Sequence, residues 1–358
     1  MKIRIKIVYV VSLTAILFTG CDRDDFLVDD FLDDHFYLRN AGADMPVTVQ
    51  GNFKDKTLVL FLQGGPLGGS QILAYSSIFN RLEKEFAVAY WDQRATGESK
   101  GNFSKDLLIR DQYVDDLDKL VKLIQHRYGK DTKIFLMGIS WGGMLGTSYL
   151  IRHHGNHPVK GWIEINGGHD WPLIRRTSYL KLRSIADQQI SIGNSINEWT
   201  QLKEVADKFD TSRIDLDYVV EYYQHVLKAE KILEKDGVVS YSVEVDKPWK
   251  AFFNSPTNSL TSIFGDILAR PNSHVWSHLM TDTYVSDNLS LINIPYLFLW
   301  GDMDIRVPDT LAYRAYEKIS TPEADKKLVI FPNTMHELPG YAPEQFYLEV
   351  VSFINKHN

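Results

Sequence analysis

Cysteine is nearly absent. Cys21 is the only one in 358 residues, so no disulfide can close within the chain. A positive excess is missing as well: the formal charge is −7, which argues against nucleic acid as a partner. The apolar run from Ile7 to Phe18 is too short for an ordinary membrane span, and no repeat or low-complexity tract interrupts the chain. What is present describes a globular protein. Hydrophobic residues make up 44% of the chain and mean hydropathy is −0.21. Tyr, Phe and Trp number 18, 18 and 8, enough for packed interiors or apolar pockets. The length allows two domains, or one domain with a large insertion.

The first residues read as an export signal. Lys2, Arg4 and Lys6 precede the apolar run, and Thr19-Gly20-Cys21 follows it. Small residues just before a cysteine resemble a bacterial lipobox, with lipidation at Cys21. The alternative is an ordinary secretory signal with an incidental cysteine. Loss of residues 1–20 takes away three positive charges and no acids, leaving −10. Residues 21–34 then form an acidic tether with seven Asp, a solvated spacer or a surface-export signal. The acids lack the glycine and terminal Glu of a calcium loop.

Short apolar runs alternate with helical patterns, the signature of a mostly parallel sheet flanked by helices, an α/β class. Strands are expected at "KTLVLFLQGG", "FAVAYWDQR", "TKIFLMGIS", "VKGWIEINGG", "PYLFLWGDMD" and "KKLVIFPNTMHE", with an edge hairpin after His35. Val114, Leu117, Val121 and Ile124 recur at helical spacing, and a further helix is expected from Met144. Residues 171–288 show helical patterns with polar breaks and no clear strand, so they read as an inserted helical cap. The core then comprises residues 35–170 and 289–358.

Gly138-Ile139-Ser140-Trp141-Gly142 fits G-x-S-x-G between a strand and a helix, the context of a nucleophile elbow. Asp304 follows the next-to-last strand and His336 follows the last, so the order is serine, acid, histidine. An alcohol needs a base, and an imidazole needs an acid to hold its tautomer. Asp302 is the rival acid; its spacing to Pro308 favours Asp304. "LQGGPLGG" lies directly after the third strand, where Gly65 can offer an N–H beside that of Trp141 to an oxyanion.

The motifs "QGGPLGGS", "WDQRATGES", "GISWGG", "GDMDIRVP" and "TMHE" resemble, in order and spacing, those of the alpha/beta-hydrolase fold, with closest likeness to the proline iminopeptidase group. The likeness runs from about His35 to the C-terminus. It implies an α/β hydrolase core with a helical cap, a triad of Ser140, Asp304 and His336, and an oxyanion hole from Gly65 and Trp141. It also implies supporting roles for Gly64, Asp92, Gln93 and Arg94. Three residues depart from the group: Gln63 stands for its His, Leu67 for a Gly, and Ala95 for the Gly after DQR. None of the eight Trp is followed by Glu, a pair the group tends to carry in its cap.

Other features carry less. "HHGNH" at His153 to His157 sits at a helix end without an accompanying carboxylate or Cys, so no metal is expected. Ser140 in place of Asp argues against an epoxide hydrolase or dehalogenase. Glu221, Glu230 and Glu244 could bind a substrate ammonium or lie on solvated helix faces. No cofactor is expected. The expected activity is cleavage of an ester or amide through an acyl-enzyme, with short peptides or small acyl compounds as substrates and the membrane as the anchoring partner. The alternatives are a carboxylesterase of the same fold and a surface-binding lipoprotein without chemistry.

Overall fold

Alternation within buried strands gives the sheet two apolar faces. In Thr57–Leu62, Leu58, Leu60 and Leu62 join one core cluster while Val59 and Phe61 join another, as side chains on successive residues must. The structure is a computed structural model that describes residues 30–65, 70, 73–74, 76–210, 212–213, 216–242, 279 and 284–358. Cys21, most of the acidic stretch, Leu67 and Glu244 lie outside the described residues. The chain divides into Met1–Asp30 and Phe31–Asn358, and the fold is that of the second unit.

The strands are β1 (Phe31–Asn40), β2 (Ala43–Asn52), β3 (Thr57–Leu62), β4 (Ala87–Trp91), β5 (Lys100–Gly101), β6 (Lys133–Ile139), β7 (Val159–Ile165), β8 (Tyr296–Gly301) and β9 (Lys326–Phe331). Their order is β1-β2-β4-β3-β6-β7-β8-β9, with β5 beside β2. The β1–β2 hairpin is antiparallel, and β2 runs antiparallel to β4. From β4 to β9 every pairing is parallel. The register sets Leu62 beside Gly138, Ile139 beside Ile165, and Gly301 beside Phe331. The carboxyl ends of β3, β6, β8 and β9 therefore share one rim, where a site is expected in such sheets.

Helices α1 (Ser77–Glu85) and α9 (Pro343–His357) cover one face, and α2 (Arg110–Tyr128) and α3 (Trp141–Arg152) the other. The expected cap stretch contributes α4 (Trp171–Ser191), α5 (Ile196–Lys208) and α6 (Leu216–Lys235). Two short-range elements follow the last strands: α7 (Thr310–Lys318) and α8 (Leu338–Tyr341). Among the described residues no helix is long and apolar enough to cross a membrane.

Two boundaries differ from expectation. The sheet begins at Phe31 rather than after residue 34. Asp34 pairs across to Val49 and takes bonds from Arg127 at 2.5 and 2.7 Å and Tyr128 at 2.7 Å, so it belongs to the fold and not to a tether. Helix α3 starts at Trp141, three residues before Met144, because the turn that precedes it is a single residue.

Behind the rim sits a fully buried ion pair. Arg94 donates to Asp116 through Nε at 2.9 Å and Nη2 at 2.8 Å, and to the carbonyl of Asn40 at 3.0 Å. Both side chains have no solvent exposure. Breaking a buried pair by removing one partner costs about 3–5 kcal/mol. Asp116→Ala should lower the unfolding free energy by that amount in urea titrations, whereas Asp44→Ala, in the exposed Arg39–Asp44 pair, should change it little.

Candidate active site

Ser140 has φ 56° and ψ −114°, a backbone that side-chain-bearing residues rarely adopt. A serine before a helix usually caps it; Ser140 makes no side-chain cap bond, so its hydroxyl is not spent on α3. The turn is held by its own backbone: Ser140 N–H donates to Ile165 at 2.9 Å, and Ser140 C=O accepts from Met144 at 3.2 Å and Gly168 at 3.0 Å. The flanking glycines follow from close approach. A Cβ on Gly142 would lie 1.9 Å from the Leu62 carbonyl oxygen, and one on Gly138 2.5 Å from that of Gly142.

The end of β3 meets this elbow. A Cβ on Gly64 would touch Cβ of Ser140 at 3.4 Å, so nothing larger intervenes between them. Gly65 has φ 141°, a conformation open to glycine. Trp141 is the first residue of α3, and first-turn N–H groups lack an intrahelical acceptor. Gln63, standing where the iminopeptidase group has His, is 3% exposed, and neither of its amide atoms has a partner among the described residues.

The expected supporting residues form a buried brace. Gln93 Oε1 accepts from the Trp141 indole at 3.0 Å. Asp92 accepts from the N–H groups of Ser70 at 2.7 Å and Glu98 at 2.9 Å, which ties the far end of the glycine loop. Ala95 has φ 58°; the strain explains why the resembled group carries glycine there.

Asp304 and His336 come together. His336 Nδ1 lies 2.7 Å from Asp304 Oδ2, and Asp304 Oδ1 accepts from Val307 N–H at 2.9 Å. Both residues are buried. Burial alone pulls the His336 imidazole down, but the charge and hydrogen bond of Asp304 outweigh it and hold the ring above its ordinary value. Asp302 stands apart: it accepts from Thr334 N–H at 3.2 Å, and burial raises its carboxyl.

Sequence reasoning missed the strut between these parts. Asn166, just past β7, donates from Nδ2 to the His336 carbonyl at 2.5 Å and accepts from Gly301 N–H at 3.1 Å. Its loop also supplies the Gly168 N–H that holds Ser140. The visible signal was an Asn-Gly-Gly directly after a strand. Beneath it, Glu164 accepts from Tyr296 OH at 2.7 Å and meets His169 Nδ1 at 3.0 Å. The His153–His157 run packs on Tyr149 instead, with ring centroids 4.8 and 6.1 Å away.

Of the cap acids, Glu221 pairs with Arg213 at 3.0 Å. Glu230 is neither free for an ammonium nor solvated: it is 7% exposed and takes Arg306 Nε at 2.8 Å and Nη2 at 2.6 Å.

A family model for the alpha/beta hydrolase fold matches residues 57–343. A proline iminopeptidase of Thermoplasma volcanium is 23% identical over 303 residues, covering 85% of this chain and 90% of its own. A probable aminopeptidase of Bacillus subtilis, YbaC, is 23% identical, covering 78% and 83%. Among solved structures, an esterase from Exiguobacterium antarcticum superposes with TM-score 0.52 at 18% identity, covering 89% and 98%; that likeness speaks for the fold alone.

The site's electrostatics give a direct expectation. In an NMR pH titration the His336 ring should change protonation above 6.5, its ordinary value. Asp304→Asn should bring that midpoint down, since the neutral amide no longer favours the imidazolium. A midpoint unmoved by the substitution would contradict the assigned cause.

Proposed function

The chain belongs to the alpha/beta hydrolase fold family, and we propose that it is a serine hydrolase cleaving an amide or ester bond through an acyl-enzyme. Family membership and relatives named for peptidases support a hydrolase. The observation that carries the finer reading is the 2.7 Å contact of His336 Nδ1 with buried Asp304. That contact commits Nδ1 and leaves Nε2 for the alcohol of Ser140, whose strained backbone sits at the same rim.

The steps follow from these groups. Ser140 Oγ attacks the substrate carbonyl carbon as His336 Nε2 takes its proton. Asp304 holds the tautomer and stabilises the imidazolium. The oxyanion accepts from the N–H groups of Trp141 and Gly65. Collapse breaks the bond to the leaving amine or alcohol, which takes the proton from His336. Water then attacks the acyl-enzyme by the same base, releasing the acid and restoring Ser140.

Short peptides with a free amino end are the first substrate class, supported by the iminopeptidase and aminopeptidase relatives. One observation favours a second reading, a carboxylesterase: Glu230 already spends its charge on Arg306. A panel of aminoacyl-anilides against short and long acyl esters separates the two. Ser140→Ala should lower kcat by at least about 10⁴-fold on whichever substrate turns over. A fluorophosphonate probe should label Ser140 in the folded protein. Turnover unchanged in Ser140→Ala contradicts the reading, and absence of both labelling and turnover in the folded protein leaves a binding protein on this scaffold.

We also propose that Cys21 is lipidated after loss of residues 1–20, which ties the enzyme to a bacterial membrane, with the outer membrane or cell surface as candidates. The support is the "FTGC" sequence at the end of the apolar run. Cys21→Ser should move the protein from the membrane pellet to the soluble fraction after cell breakage; equal pelleting of both forms rejects the anchor.

A further inference from the structure

The titratable groups around His336 and Arg306 come from three places. Asp304 and Arg306 lie in the turn after β8, Glu337 adjoins the histidine, and Glu230 and Tyr223 belong to cap helix α6. Arg306 is the centre of this set. Its guanidinium forks onto both carboxylate oxygens of Glu230 at 2.8 and 2.6 Å and stands 3.5 Å from Glu337. Its backbone is held too: Tyr222 of α6 donates to the carbonyls of Arg306 and, at 3.3 Å, Ile305. Trp300 donates to the Val307 carbonyl at 2.8 Å. The turn that carries Asp304 is therefore gripped by β8 on one side and by the cap on the other.

We propose that Arg306 and Glu230 are positioning residues for the catalytic base: the pair clamps α6 to the Asp304 turn and keeps the net charge facing His336 balanced. The inference rests on the serine hydrolase reading of the site. A largely buried fork of this kind is geometrically specific, and its two charges act oppositely on the imidazole. Arg306 disfavours the imidazolium. Glu230, whose own carboxyl burial raises while Arg306 and the His336 charge pull it down, favours the imidazolium in return. Side-chain exposures of 22% and 10% keep this corner of the site poorly screened. With both partners present the two influences oppose each other, Glu337 acting in the same sense as Glu230, and the pull of Asp304 dominates.

The prediction is a sign and its reversal. Glu230→Gln keeps the shape and one acceptor for the guanidinium, and leaves only Glu337, 3.5 Å away, to offset the Arg306 charge. The His336 midpoint in NMR titration, and with it the acid limb of kcat/KM, should move down by about half a pH unit or more. Adding Arg306→Gln to that variant should bring both back toward the wild-type values. Mere structural damage deepens with a second substitution and does not reverse. If the double variant fails to fold, the direction in Glu230→Gln alone decides: a downward move supports the pair's role, and an upward or absent move overturns it. The NMR midpoint needs no turnover. Its displacement in a protein that hydrolyses nothing would uphold the charge balance while rejecting the hydrolase reading.

Discussion

A backbone that a serine rarely adopts is the constraint on which the rest depends. Ser140 holds φ 56°, at a cost of order 1–3 kcal/mol for such a residue, and the surroundings leave it no alternative. Leu62 and Gly142 approach within the space of a missing Cβ. The Ser140 N–H donates to Ile165 and its C=O accepts from Gly168 and Met144, which fastens the peptide units on both sides of its Cα. The parallel register of β3, β6 and β7 supplies these partners, so the strain is borne by the sheet rather than by the loop.

Electrostatics then divides into layers. At the rim, Asp304 sits fully buried against His336 and keeps the ring's proton affinity high despite burial. Behind it, Arg94 and Asp116 neutralise each other without solvent, and Gln93 holds the indole of Trp141. Above it, Arg306 and Glu230 join core to cap. These three buried charge pairs meet what a low-dielectric interior requires, and the last of them links the cap to the turn that carries Asp304.

Most of the fold was legible because strand and helix periods are local. The six expected apolar runs became β3, β4, β6, β7, β8 and β9. Their carboxyl ends carry the serine, the acid and the histidine. The start of β1 was misplaced because Asp33 and Asp34 look solvated in sequence, whereas Asp34 finds Arg127 and Tyr128, 93 and 94 residues away. The strut at Asn166 was invisible for the same reason: an Asn-Gly-Gly reads as a turn until the chain brings Gly301 and His336 to it.

By itself the sequence determined the class of the sheet, the elbow and the order of the serine, acid and histidine, since these follow from spacing along the chain. Only the tertiary structure decided which acid serves the histidine and where the cap acids spend their charge. Asp302 and Asp304 differ by two positions in sequence, but only one faces the imidazole at 2.7 Å. Glu230 could have awaited a substrate amine until folding brought Arg306 to it. Partnerships of buried charges depend on distances between segments remote in the chain, and those distances are properties of the packed fold.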